Sequence, residues 1–278
     1  MDCPGLDAGD VFTACVSRIQ DRGLKSRMTS IKDEVTAASL QFHDLATNNR
    51  LHRFVQQAVI AGLVTTQEME KVYTQRMAKK NAPGRDTYDL IFNSSPHGRC
   101  LLCGHRKVET LDHHLPKSLY PVLAVVPANL IPACNNCNKL KLANAPASQS
   151  EEALHPYFDN IEDDKWLHAE VSICAPAALR FYVRSPNNWS QVLSDRVGLH
   201  FRTLCLANLY AAEAAEELLN IRHQLESIYA GSGLAGVRAE LQARAESASA
   251  ARLNGWRAVT FESFAVSDWF CGGGFALV

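Results

Sequence analysis

No stretch of this chain is long and apolar enough to cross a bilayer. The richest run, residues 119–133, is interrupted by Pro121, Pro127 and Pro132 and falls short of the roughly 20 residues a spanning helix needs. A basic segment leading into an apolar one is also missing from the start, where Met1-Asp2-Cys3-Pro4 stands instead, so no export signal is expected. Charge imbalance is absent too: 28 Lys and Arg against 29 Asp and Glu leave a net −1, which removes any global argument for nucleic-acid binding. No internal repeat is visible. With 47% hydrophobic and 21% charged residues the composition excludes wholesale disorder. The expectation is a soluble, folded, cytoplasmic protein with no membrane partner.

What the chain does have is concentrated locally. Between His97 and Lys141 the basic residues are Arg99, Arg106, Lys107, Lys117, Lys139 and Lys141, against only Glu109 and Asp112, so this segment is positive by four. Lys71, Arg76, Lys79, Lys80 and Arg85 form a second basic stretch upstream, which reads equally well as a phosphate-tracking face or a solvated helix. Nine cysteines is an odd number, and four fall into two Cys-x-x-Cys pairs, a pattern that in a reducing compartment points to metal. Cys3, Cys15, Cys174, Cys205 and Cys271 are scattered and read as ordinary thiols.

Three regions are expected. Residues 1–93 have helical texture, with three or four helices before Lys80 and Phe54, Val55, Val59, Ile60 and Leu63 at helical spacing. Asn81-Ala82-Pro83-Gly84 is a breaker cluster. Residues 94–147 hold the cysteine pairs and read as a compact metal-organised unit leaving through a linker from Ala145 to Ser150. Residues 148–278 suggest short strands at 168–173 and 179–183, then helix from near Val197 past Leu241 with a break at Gly231-Ser232-Gly233. The fold class is therefore α+β and mostly helical.

Cys100-Leu-Leu-Cys103-Gly104 has the form of a zinc knuckle, two thiolates three residues apart with glycine where the chain reverses, and Cys134-Asn-Asn-Cys137 supplies the matching pair. Four thiolates leave zinc no open position, so the ion is structural. The interval between the pairs is about 30 residues, longer than the roughly 15 to 20 of a simple ribbon, so something is inserted.

The insert contains Thr110-Leu-Asp-His-His-Leu-Pro-Lys117. Asn129-Leu-Ile-Pro is read as following the second strand of a hairpin, and Cys134-Asn-Asn-Cys-Asn-Lys-Leu-Lys141 comes next. Asp-His-x-x-Pro, then Asn-Leu, then Cys-x-x-Cys-Asn-x-x-Lys resembles the HNH, or ββα-metal, nucleases over about residues 100–141. The resemblance implies a zinc-stapled ββα-metal unit with His113 as general base, Asp112 and Asn138 as ligands of a catalytic Mg²⁺ or Mn²⁺, and Asn129 as a brace for the hairpin loop. It also implies DNA, or RNA, as substrate and a role in bacterial defence against foreign DNA. The third family position, often histidine, is Asn138 here.

The chemistry suits those assignments. Water is a poor nucleophile at neutral pH, and an imidazole is suited to taking its proton. A carboxylate and an amide oxygen suit a hard cation that neutralises charge on the phosphate. Side chains on a strand alternate, so Asp112 would share a face with His114 unless the strand ends or bulges there. Pro116 is compatible with such an end, and the resemblance, in which the base stands three residues before that proline, selects His113 over His114, which is left as a structural or substrate-side residue. Lys141 is expected either to meet a phosphate or to be solvated. Leu154-His-Pro-Tyr-Phe-Asp159 resembles a segment that trails this motif in some bacterial HNH proteins; His155 reads as part of a capped turn packing Tyr157 and Phe158, or as a brace for the active unit.

Two rivals are weighed. A zinc nucleobase deaminase needs His-x-Glu ahead of its cysteine pair, whereas His168-Ala-Glu170 lies behind both pairs. A zinc-stabilised module that binds nucleic acid without cutting is the stronger alternative, and Asp112, His113 and Asn138 argue against it. The flanking helices are where target choice, a protein partner or homo-oligomerisation would reside.

Overall fold

The computed structural model describes residues 2–277 and is α+β and mostly helical. It divides into two compact units, Met1–Asp159 and Asn160–Val278. The three regions expected from composition thus fall into two units, because residues of 1–93 and of 94–147 share one core.

The first unit begins with α1 (Ala8–Val16), α2 (Arg22–Ser30) and α3 (Lys32–Thr47). Asp7 and Asp21 start α1 and α2 by accepting the otherwise orphaned amides of Asp10 and Leu24 at 2.8 and 2.7 Å. The helical spacing expected at Phe54 to Leu63 is not realised. Ala61 and Gly62 take left-handed φ of 49° and 70°, and the β-branched residues on either side pair as β1 (Val59–Ile60) and β2 (Val64–Thr65). Thr65 and Glu68 then form a reciprocal capping box that opens α4 (Thr66–Lys71), and Arg27 clamps Glu68 at 2.6 and 3.1 Å. The chain continues as a π-helical turn over Val72–Met77, followed by α5 (Arg85–Asn93).

The rest of the first unit is a hairpin, β3 (Thr110–His113) against β4 (Leu130–Ala133), leading into α6 (Asn135–Lys141). The segment from Leu130 to Ala133 is itself the second strand, so Asn129 precedes that strand instead of following it. Phe12, Val35, Phe42, Met69, Met77 and Ile91 from the helical region form one buried cluster with Leu111, Tyr120 and residues 122–126 of the hairpin loop. At roughly 1.5 to 3 kcal/mol for each large apolar side chain removed from water, this shared cluster dominates the stability of the unit. Pro121 and Pro127 each open a 3-10 turn, Pro121–Leu123 and Pro127–Asn129, in a buried loop that leads into β4, where Pro132 lies. No described helix is long and apolar enough to cross a membrane.

The second unit pairs β5 (Leu167–Ser172) with β6 (Ala178–Val183), matching the expected strands to within a residue. Leu167, Leu179 and Phe181 are the buried positions of the hairpin, which packs on α8 (Leu206–Ala251) and α9 (Trp256–Val266). α7 (Gln191–Thr203) precedes α8, which breaks at Gly233 with φ 59° and ψ −158°, inside the expected Gly-Ser-Gly interruption. The chain closes with α10 (Asp268–Cys271), where Phe264 and Phe270 stack 3.9 Å apart.

Candidate metal centre and hairpin site

Cys100, Cys103, Cys134 and Cys137 converge as the sequence spacing requires. All four are buried, and their sulfurs lie within 4.8 Å of one another. Gly104, at φ 63°, reverses the chain after the first pair, and its amide bonds the Cys100 carbonyl at 2.8 Å. The second pair lies at the start of α6, where the Cys137 amide points at the Cys134 sulfur from 3.4 Å. Tetrahedral zinc with bonds of about 2.3 Å sets sulfurs about 3.8 Å apart, so this donor set fits a structural zinc. The knuckle is joined to the hairpin by the Leu101 amide on Pro132 O, 3.1 Å, and the Glu109 amide on Ala133 O, 2.9 Å.

Asp112 and His113 end β3, opposite Ile131 and Leu130. Both are buried, and their side chains take separate partners. Asp112 Oδ2 is 2.8 Å from the Lys141 ammonium. Burial raises the Asp112 pKa, and the charge of Lys141 opposes the rise without cancelling it. His113 Nε2 lies 2.8 Å from the Ala124 carbonyl. A carbonyl only accepts, so Nε2 carries the proton and Nδ1 keeps the lone pair. The ring of Tyr73 meets that of His113 edge-on at 4.4 Å, and the Tyr73 hydroxyl donates to Leu111 O at 3.1 Å. Burial pulls the imidazole down to about 3, the bond to Ala124 opposes this, and Lys117 and Lys141 add to it, so His113 is neutral at physiological pH.

Asn129 is fully buried and hydrogen-bonded within the loop between β3 and β4. Its Oδ1 accepts from the Leu115 amide at 2.7 Å, and its Nδ2 donates to the carbonyls of Leu115 and Leu123 at 3.0 and 3.3 Å. Asn138 is half-buried on α6, three residues before Lys141 and therefore a neighbour on the same helical face. Lys141 is not a solvated side chain; its ammonium turns inward onto the end of β3.

His114 is buried, with its ring 4.2 Å from that of His155. His155 closes a capped turn and also reaches the loop before β4. Its amide donates to Asp159 Oδ2 at 2.7 Å to close a turn whose Phe158 packs edge-on against Phe42. Its Nδ1 accepts from the Tyr157 amide at 3.3 Å, so Nε2 donates to Ala128 O at 3.1 Å, while the Tyr157 hydroxyl donates to Leu130 O at 2.8 Å. Glu152, also buried, accepts from the His52 amide at 2.9 Å and from its ring.

Sequence reasoning missed Tyr73, the Ala124 carbonyl, the inward turn of Lys141 and the Glu152–His52 tie. Tyr73 lies in the π-helical turn, a rare geometry that often marks functional positions, and its sequence neighbourhood shows only helical texture.

Comparison with known proteins adds one relative. No family model matches the chain, and no solved structure matches it. It is similar to Protein ea31 of Escherichia phage lambda, 34% identical over 187 residues that make up 66% of this chain and 63% of that protein. The chain thus spans less than two thirds of the length of the relative it matches.

Proposed function

We propose that this protein is a metal-dependent endonuclease of the HNH type that hydrolyses phosphodiester bonds in DNA. One observation carries the reading. β3 ends on Asp112 and His113, its partner β4 runs through Cys134 directly into α6, and α6 turns Lys141 back to within 2.8 Å of Asp112. Strand, strand and helix are therefore fastened by four sulfurs, and the end of β3 carries an acid and an imidazole beside the lysine that closes α6.

In this reading zinc is the fastener. Asp112 and Asn138 hold a hard divalent cation, Mg²⁺ or Mn²⁺, and the oxygens that already surround an ammonium at Asp112 are the donor type such ions take. That ion supplies charge neutralisation on the phosphate oxygens. His113 accepts a proton from the attacking water at Nδ1, while the Ala124 carbonyl fixes the tautomer and Tyr73 fixes the ring. An imidazole this buried is a weak base in the free protein, and an anionic phosphate beside it raises its basicity.

The test is cleavage of supercoiled plasmid and single-stranded DNA with and without Mg²⁺, beside His113→Ala. Loss of a general base lowers the rate roughly 10²- to 10⁴-fold. Equal cutting by a folded His113→Ala variant would falsify the assignment. The burial of His113 favours a second reading, a zinc-stabilised module that binds nucleic acid without cutting it. Under that reading DNA is retained in a gel-shift assay while neither protein cleaves.

A further inference from the structure

Lys141 is the last residue of α6, and its ammonium sits among three oxygens: Asp112 Oδ2 at 2.8 Å, His113 O at 2.6 Å and His114 O at 2.8 Å. Its hydrogen bonds go to the two carbonyls, and the Asp112 carboxylate faces it as an ion pair. Both side chains of the ion pair are largely withdrawn from solvent, with 12% of the lysine and 7% of the aspartate exposed. This is a built seat for a cation, one carboxylate and two carbonyls, and the chain fills it with its own positive charge. A second cation cannot share Asp112 Oδ2 while the ammonium stays, because two positive charges would meet at one oxygen in a partly desolvated place.

We propose that Lys141 is a tethered competitor for the metal: it holds the end of β3 in shape until a divalent cation arrives, and that cation binds only by displacing it. The inference rests on reading Asp112 as a ligand of the catalytic metal. Helix α6 ends at Lys141, and the next residue, Leu142, has left the helix with φ 57° and ψ −176°. The lysine can therefore withdraw without unwinding the turn that carries Asn138. Residues His113 and His114 enter through their carbonyls, which no side-chain motif announces.

The experiment uses the full chain loaded with zinc and Mn²⁺ as the probe, its affinity measured by electron paramagnetic resonance of the free ion. Lys141→Met, similar in length and uncharged, binds Mn²⁺ at least tenfold more tightly than the wild type, and Asp112→Asn abolishes the site in both backgrounds. In the wild type, acylation of Lys141 read by mass spectrometry rises when Mn²⁺ is added. If the wild type binds Mn²⁺ and Lys141→Met binds it equally or more weakly, the competition is refuted while the metal site stands. If neither protein binds Mn²⁺, the site reading and the competition fall together. Should Lys141→Met not fold, the acylation measurement decides alone, since a lysine equally protected with and without bound Mn²⁺ overturns the proposal.

Discussion

Stripping the metal from the four cysteines is expected to unfold the first unit and leave the second intact. Apparent binding free energies of structural zinc sites run from about 10 to 16 kcal/mol. Taking about 12 to 16 kcal/mol, nanomolar to picomolar affinity, a free zinc concentration of ~1 μM stabilises the folded form by about 4 to 8 kcal/mol. Whole domains are stable by about 5 to 15 kcal/mol, so removal consumes a large share of the margin of residues 1–159, and all of it where that margin lies at the lower end. Loss is aggravated by what remains, four buried sulfurs within 4.8 Å of one another with nothing to bind. The chain provides its own reporters. All four tryptophans, Trp166, Trp189, Trp256 and Trp269, belong to the second unit, so tryptophan fluorescence sees that unit alone, while far-ultraviolet circular dichroism sees both. Titration with a strong chelator under reducing conditions, or the Cys134→Ser substitution, is expected to remove part of the helical signal with little change in tryptophan emission. Full retention of the dichroism and of the melting transition after the metal has been shown to leave refutes the energetic reasoning. A coincident loss of both signals refutes the independence of the two units.

Two further outcomes follow from the geometry. Asn129→Ala deletes three buried hydrogen bonds and strands the Leu115 amide, a cost of about 3 kcal/mol measurable by urea denaturation, and Asn129→Asp does no better because it keeps the acceptor but loses both donations. Glu68 is held down to about 2, chiefly by its bond to Arg27, so the stability it contributes is present above its unfolded pKa near 4.5 and lost as pH falls toward 2. Arg27→Gln is expected to flatten the thermal midpoint against pH across that window, and an unchanged acid limb counts against the assignment.

The parts legible in the sequence are those whose physics is local. Two Cys-x-x-Cys pairs predict convergence because tetrahedral coordination dictates it, and the structure brings the sulfurs together. Alternation at 168–173 and 179–183 and the glycines at 231 and 233 announce β5, β6 and the break in α8 within a few residues. What failed locally is instructive: Val59, Ile60 and Leu63 fit a helical spacing, yet the left-handed backbone at Ala61 and Gly62 turns the segment into a hairpin. The surroundings of the hairpin site were illegible for a different reason. Tyr73 reaches His113 across 40 residues, and Glu152 reaches His52 across 100; no periodicity encodes such pairings. The carbonyls that Asn129 bonds, those of Leu115 and Leu123, lie outside its own 3-10 turn, and no local pattern names them.

The cluster that joins Phe12, Val35, Met77 and Ile91 to residues 122–126 has a practical consequence. A fragment starting near residue 94, the natural choice for anyone transplanting the cysteine-bearing segment into another scaffold, would carry the loop's valines into water bare. Such an excised piece should precipitate even when fully metallated, and a portable version has to bring its helical collar with it.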